Sequence, residues 1–211
     1  MENNIPLLIA WLLYFTLHSA LASNTVKGYI TQAYPALRAC YRVIYNGVAI
    51  VSLVPVIFLM FINQGTQFII WPEALFPLKA LVLISAIACF IWSLTYYDLK
   101  AFMGVEQCRS KKADTQSGHT LVISPIHRFV RHPWYSCALF ILWFRDMNTA
   151  QFVSTLLISG YFVIGSFFEE RRLVAEHGEQ YRRYQHRVAA LIPLPWKYLS
   201  KKEALTMNAR V

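Results

Sequence analysis

Two clusters in this chain carry residue types suited to chemistry on a polar or charged ligand: Arg131-His132-Pro133-Trp134-Tyr135, and the adjacent pair Glu169 and Glu170. Proline disfavours a helical conformation at the residue before it, so His132 is expected to be extended, with its side chain and carbonyl held in fixed directions. Pro133 fits the first turn of a helix. The unsatisfied amides of that turn suit a ligand carboxylate or phosphate. Trp134 and Tyr135 either pack on a flat ring such as adenine or belong to the aromatic belt of a membrane interface. Glu169 and Glu170 close the almost uncharged stretch Phe152 to Phe168. Carboxylates beside so much apolar surface need a partner or open water. That partner is an amine-bearing ligand or one of Arg131, Arg171 and Arg172. Successive helical side chains diverge by about 100°, so the two carboxylates are expected to face different partners, one a ligand and the other an arginine.

The elements that must position these clusters are membrane spans. Of 211 residues, 56% are hydrophobic and only 15% charged, against roughly a quarter charged in soluble domains. A span needs roughly 20 mostly apolar residues. Such windows occur at Ile5 to Ala22, Tyr41 to Ile62 and Phe76 to Tyr97. The region Trp134 to Phe168 is too long for one span, and Arg145, Asp146 and Asn148 split it into a hairpin. Its two ends return to the same membrane face, which brings the two clusters together.

The expected fold is therefore all-α and integral to the membrane, with about five transmembrane helices, the last two a hairpin. An amphipathic helix follows, with Leu173, Tyr181, Tyr184, Val188 and Leu191 at helical spacing, an interruption near Gly178, and Pro193 and Pro195 at its end. It is expected to lie on the membrane surface and cover the site. The chain reads as one domain: three spans in 1–97, a core in 98–196 that carries the chemistry, and a polar tail in 197–211. Within the core, Arg109 to Gly118 reads as a mobile polar loop.

The net charge of +9 does not point to nucleic acid, because the cations are sorted by connection. Of the 20 Lys and Arg residues, 18 fall in Lys27 to Arg42, Lys100 to Arg131 and the segment from Arg171 onward. The positive-inside rule then places the N-terminus outside and the C-terminus in the cytoplasm; the expected membrane is a bacterial inner membrane. The excess positive charge is expected to meet anionic lipid headgroups. The first apolar segment has Glu2 and no cation before it, so it is expected to remain as a span, not a cleaved signal.

Cys40, Cys89, Cys108 and Cys137 form no CxxC pair and read as small hydrophobes, not as a disulfide set or metal cluster. His18, His119, His127 and His132 show no HExxH or similar metal-ligand spacing, so no metal is expected. There is also no GxGxxG, P-loop or GxSxG.

The run GHTLVISPIHRFVRHPWY, followed by a hairpin and then EERRLVAEHGEQYRRYQHRVAALIP, resembles the integral-membrane methyltransferases typified by isoprenylcysteine carboxyl methyltransferase and phospholipid N-methyltransferases. The likeness covers about Gln107 to Pro193 and rests on RHPxY, EExxL, GxxY and IP in that order. Upstream, HSALASNTVKGY and LRACYRVIY are similar to the nurim, NnrU and methanethiol S-methyltransferase branch. The resemblance implies S-adenosylmethionine as cofactor. It implies a pocket lined by Gln107, His119, Thr120, Leu121, Val122, His127, His132, Pro133, Trp134, Tyr135 and Glu169. The expected acceptor is a small thiol, an amine or a lipid-like molecule. Gly165 stands where prenylcysteine enzymes carry a substrate-holding arginine, and Pro125 stands where a glycine is common, which weighs against a prenylcysteine carboxylate. Arg131 is expected to favour an anionic nucleophile and Glu170 to accept its proton. The competing readings are a non-catalytic nurim-like membrane protein and a membrane reductase related to sterol reductases.

Overall fold

The computed structural model describes residues 4–110 and 121–208. Helices account for nearly all of its regular structure. In chain order they are α1 Ile5–Ala22, α2 Asn24–Ala33, α3 Tyr41–Ile62, α4 Phe76–Leu94, α5 Leu99–Met103, α6 Val105–Ser110, α7 Pro133–Trp143, α8 Thr149–Arg187 and α9 Lys201–Asn208. Four candidate spans, α1, α3, the α4 region Glu73–Leu94 and α8, are long and apolar enough to cross a membrane. The expected all-α integral membrane fold is thus the observed one. The remaining expected span, α7, has only 11 residues, about 16 Å of helix at 1.5 Å per residue, roughly half a hydrocarbon layer. One exception to the all-helical expectation is a short antiparallel pair, β1 Gln67–Ile69 with β2 Met147–Asn148.

The described residues divide into two compact units. In the first (4–70, 97–110 and 146–157), α1 packs on α3 through few buried side chains, chiefly Leu7, Trp11 and Val56. The Trp11 indole donates to Ser154 Oγ at 2.9 Å, and His18 Nε2 lies 2.6 Å from the Tyr45 hydroxyl. Polar pairs of this kind join helices where lipid offers no hydrogen bond. The outer faces keep large apolar side chains in the open: Leu13, Val51 and Phe61 are exposed. In water such a surface would invite aggregation, whereas acyl chains cover it without penalty.

The first unit also corrects the cysteine expectation. Cys40 and Cys108 form a disulfide, with Cα atoms 4.3 Å apart and a sequence separation of 68, while Cys89 and Cys137 are free. The pairing depends on a close approach of the α5–α6 corner to α3. Gly104 takes φ +81°, and a Cβ there would collide with Arg42 Cβ. No local spacing announces such a contact, which is why the two thiols read as unrelated.

In the second unit (71–96, 121–145 and 158–208), α4 packs against α7, and side-chain contacts along α7 and α8 form the expected hairpin. The Trp143 indole bonds Ser159 Oγ at 3.0 Å, and the Tyr135 and Phe162 rings stack 4.7 Å apart. Beyond the apolar part of α8 the helix is interrupted at Gly178, as its sequence indicated, with φ 57° and ψ −132°. This conformation is open to glycine and little else. The chain beyond it supplies Tyr181, Tyr184, Val188, Leu199 and Ala204 to a small core that Ile123 joins from the segment before α7.

Helix α9 was absent from the reading of 197–211 as a polar tail. Ser200 and Glu203 cap each other reciprocally: Glu203 N donates to Ser200 Oγ at 3.2 Å, and Ser200 N donates to Glu203 Oε2 at 2.8 Å. This is a capping box. The helix is fastened further by Asn208, whose Oδ1 accepts from Ile123 N at 2.9 Å, and by Gln180, which donates to the Met207 carbonyl at 2.8 Å.

Candidate functional site

The site begins with a short backbone pairing that the sequence did not announce. Arg131 N donates to the Ala189 carbonyl at 2.8 Å and His132 N to the Ala190 carbonyl at 3.1 Å. The segment before α7 is thereby laid along the segment after α8. His132 is the N-cap residue of α7, with φ −120° and ψ 71°: it is non-helical, as a residue before proline must be, but short of the fully extended conformation expected from the sequence. Ser136 Oγ bonds both the His132 carbonyl, at 2.9 Å, and the Leu191 carbonyl, at 2.5 Å.

On this frame Arg131, His132, Glu169 and Glu170 form one network. Arg131 makes a two-pronged bond to Glu170, Nε to Oε1 at 2.7 Å and Nη2 to Oε2 at 2.9 Å. Its remaining nitrogen, Nη1, donates to the Gln185 carbonyl at 3.0 Å and to the Val188 carbonyl. Paired planar geometry of this type is the strongest ordinary ion pair. His132 lies between the carboxylates, with Nε2 at 2.9 Å from Glu170 Oε1 and Nδ1 at 3.5 Å from Glu169 Oε2.

The expectation that the two glutamates face different partners is therefore corrected. They diverge along the helix, but an imidazole carries nitrogens on two edges and fills the wedge between them. Glu170 does brace an arginine. Its side chain is 14% exposed and that of Glu169 is 38%, so Glu169 is the more accessible of the two carboxylates.

Charge follows from these contacts. Burial, the largest influence on His132, lowers its pKa, but the hydrogen bonds and charges of Glu169 and Glu170 together outweigh it, and the net shift is upward. His127 goes the other way: burial first and the nearby His132 second bring it down to about 4, against a weaker pull from Glu169. At neutral pH, His127 is a neutral imidazole, 2.7 Å through Nδ1 from Ser124 Oγ.

The other expected site residues are spread around this centre. Tyr135 is stacked between His132 and Phe162. Trp134 turns onto α4, its indole donating to Ser93 Oγ at 2.8 Å. Pro133 is buried, Leu121 packs on the core of the tail, and Val122 is exposed. Gln107 belongs to the first unit, where Nε2 donates to the Ala101 carbonyl at 3.1 Å and the buried Oε1 has no partner among the described residues. His119 and Thr120, like most of the loop from Arg109 to Gly118, lie outside the described residues.

Sequence reasoning missed Gln185, whose Nε2 donates to Glu170 Oε2 at 2.8 Å. The available signal was a polar residue set within the apolar stripe of an amphipathic helix, beside Tyr181, Tyr184 and Val188.

The chain is similar to several characterised proteins over part of its length. It is 36% identical over 69 residues to a methanethiol S-methyltransferase of a Pseudomonas species, covering 32% of this chain and 26% of that protein. It is 35% identical over 74 residues to a methanethiol S-methyltransferase of Mycobacterium tuberculosis, covering 35% and 30%. It is 39% identical over 127 residues to a protein-S-isoprenylcysteine O-methyltransferase of Schizosaccharomyces pombe, covering 50% and 52%. The chain thus spans about a quarter to a half of the length of these relatives. No family model and no solved structure matches. By these partial likenesses the chain is similar to membrane methyltransferases of the methanethiol and protein-S-isoprenylcysteine kinds.

Proposed function

We propose that the protein transfers a methyl group from S-adenosylmethionine to a small thiol, with other small amine or lipid-like acceptors as the wider class. The observation that carries this reading is the convergence of Arg131-His132 with Glu169-Glu170 into one network, in a chain whose relatives are methyltransferases. The donor set fits the cofactor: a carboxylate open to an amine or ribose hydroxyls, a histidine with a raised pKa beside it, and aromatic rings at Tyr135 and Phe162. When bound, S-adenosylmethionine supplies an electrophilic methyl group on a sulfonium centre.

In this reading Glu169 and His132 touch the cofactor. Leu121, Val122, His127, Pro133, Trp134, Tyr135, His119 and Thr120 remain proposed lining residues. Arg131 and Glu170 spend their hydrogen-bonding groups on each other and on neighbours, so they hold the site in shape instead of exchanging protons with the acceptor. The chain's main contribution is then to keep acceptor and methyl carbon in contact geometry with water excluded. Small thiols are favoured because the methanethiol enzymes are among the relatives and because Gly165 puts no side chain where prenylcysteine enzymes place an arginine. The distribution of Lys and Arg supports an inner-membrane orientation with the site on the cytoplasmic side and the N-terminus outside.

The test is methyl transfer from labelled S-adenosylmethionine by the purified full-length protein in lipid nanodiscs, with methanethiol and a farnesylcysteine analogue as acceptors. Turnover of the thiol above that of the analogue is expected. A folded protein that turns over neither contradicts the reading.

A further inference from the structure

Glu170 is held by donors from two directions. Arg131 and His132 reach it from the segment before α7, and Gln185 reaches it from beyond the Gly178 interruption, 15 residues along the chain. Gln185 also offers its backbone carbonyl to Arg131 Nη1 at 3.0 Å. It therefore bonds both members of the ion pair, the carboxylate through its side chain and the guanidinium through its main chain.

We propose that Gln185 is a positioning residue of the cofactor site: its amide fixes the Glu170 carboxylate so that Glu170 grips His132 through Nε2 and leaves Glu169, on the Nδ1 edge, presented to the cofactor. The inference rests on the reading that the cofactor is S-adenosylmethionine held at Glu169. The terminal torsion of a glutamate is broad and soft, so a carboxylate needs bonds from several sides to hold one orientation. Arg131 fixes two of its lone-pair directions and His132 a third; Gln185 supplies the remaining constraint from the tail. Gly178 makes this possible, because its positive φ lets the chain reverse direction and bring the tail helix back over the residues that precede it.

The experiment is calorimetric binding of S-adenosylhomocysteine to the full-length protein in detergent, comparing wild type, Gln185→Leu and Gln185→Glu between about pH 6 and about pH 8, with thermal unfolding alongside. Gln185→Leu is expected to bind about tenfold more weakly and to unfold at a somewhat lower temperature while still cooperatively, because the lost hydrogen bond to a charged group also supports the folded chain. Gln185→Glu is expected to bind poorly near pH 8, where two carboxylates repel, and to recover toward wild type near pH 6, where the pair shares a proton and the introduced carboxyl donates to Glu170. A residue that only filled space would show no recovery, and its leucine variant would bind like wild type; either result overturns the inference. If Gln185→Leu fails to fold, the pH recovery of Gln185→Glu decides. If the folded wild type binds no S-adenosylhomocysteine, the cofactor reading falls and takes the inference with it. Wild-type binding with unaltered variants sinks the inference alone.

Discussion

The helices α1 and α3 of the first unit and the tail of the second bury their side chains in opposite ways. The helix pair encloses few residues and leaves long apolar faces open, with Leu13 66% exposed. The tail packs Tyr181, Tyr184, Val188 and Leu199 to 3% exposure or less and ties itself with capping and side-chain bonds. One region is built for lipid, where hydropathy and length suffice. The other is built like a small soluble domain, where each polar group needs a partner. The charged network sits in the second kind of environment, so the candidate site rests on soluble-type packing borne by apolar helices.

That contrast can be broken at its strongest point. Arg131→Leu leaves Glu170 buried without its guanidinium, and the expected loss is about 3–5 kcal/mol, seen as a large fall in thermal unfolding temperature in detergent. A loss below about 1 kcal/mol would mean that the network is loosely held. Acid titration should act next. A histidine buried neutral contributes stability that is present above its unfolded value near 6.5 and is lost as pH falls toward its folded value. For His127, at about 4 in the folded chain, the loss reaches about 3 kcal/mol near pH 4, and His127→Asn should flatten that limb.

His132 has the opposite sign. Its pKa is raised, so its contribution is full below the ordinary histidine value and declines as pH climbs through the folded one. Smaller still, Ser200→Ala removes the α9 cap and should cost about 1 kcal/mol, whereas Leu13→Ala on the lipid face should change stability in detergent by less than about 0.5 kcal/mol. Equal effects in that last pair would erase the distinction between the two regions.

Much of the architecture was legible because membrane spans are encoded locally. Runs of some 20 apolar residues marked α1, α3 and α4, and the charged break at Arg145 and Asp146 marked the hairpin. Gly178 announced the interruption that its φ of 57° confirms. Contacts between remote segments were not legible. Cys40 and Cys108 are 68 residues apart, and nothing near either one predicts the approach of α6 to α3. The pairing of Arg131 and His132 with Ala189 and Ala190 was hidden for the same reason.

Helix α9 is a different case, since Ser200-Lys201-Lys202-Glu203 before Ala204 and Leu205 carries the capping-box pattern and could have been found. For the site, the residue types were visible and the division of labour was not. That His132 would fill the wedge between two glutamates depends on its ring geometry and on the backbone pairing that aims it.

The most direct measurement is calorimetric binding of S-adenosylhomocysteine to the detergent-purified wild type and Glu169→Gln. Saturable binding by the wild type, weakened tenfold or more in a variant that still unfolds cooperatively, is the expected result. Wild-type affinity in Glu169→Gln, or no binding by a folded wild type, would contradict the assignment of Glu169 as the ligand-facing carboxylate of a methyltransferase site.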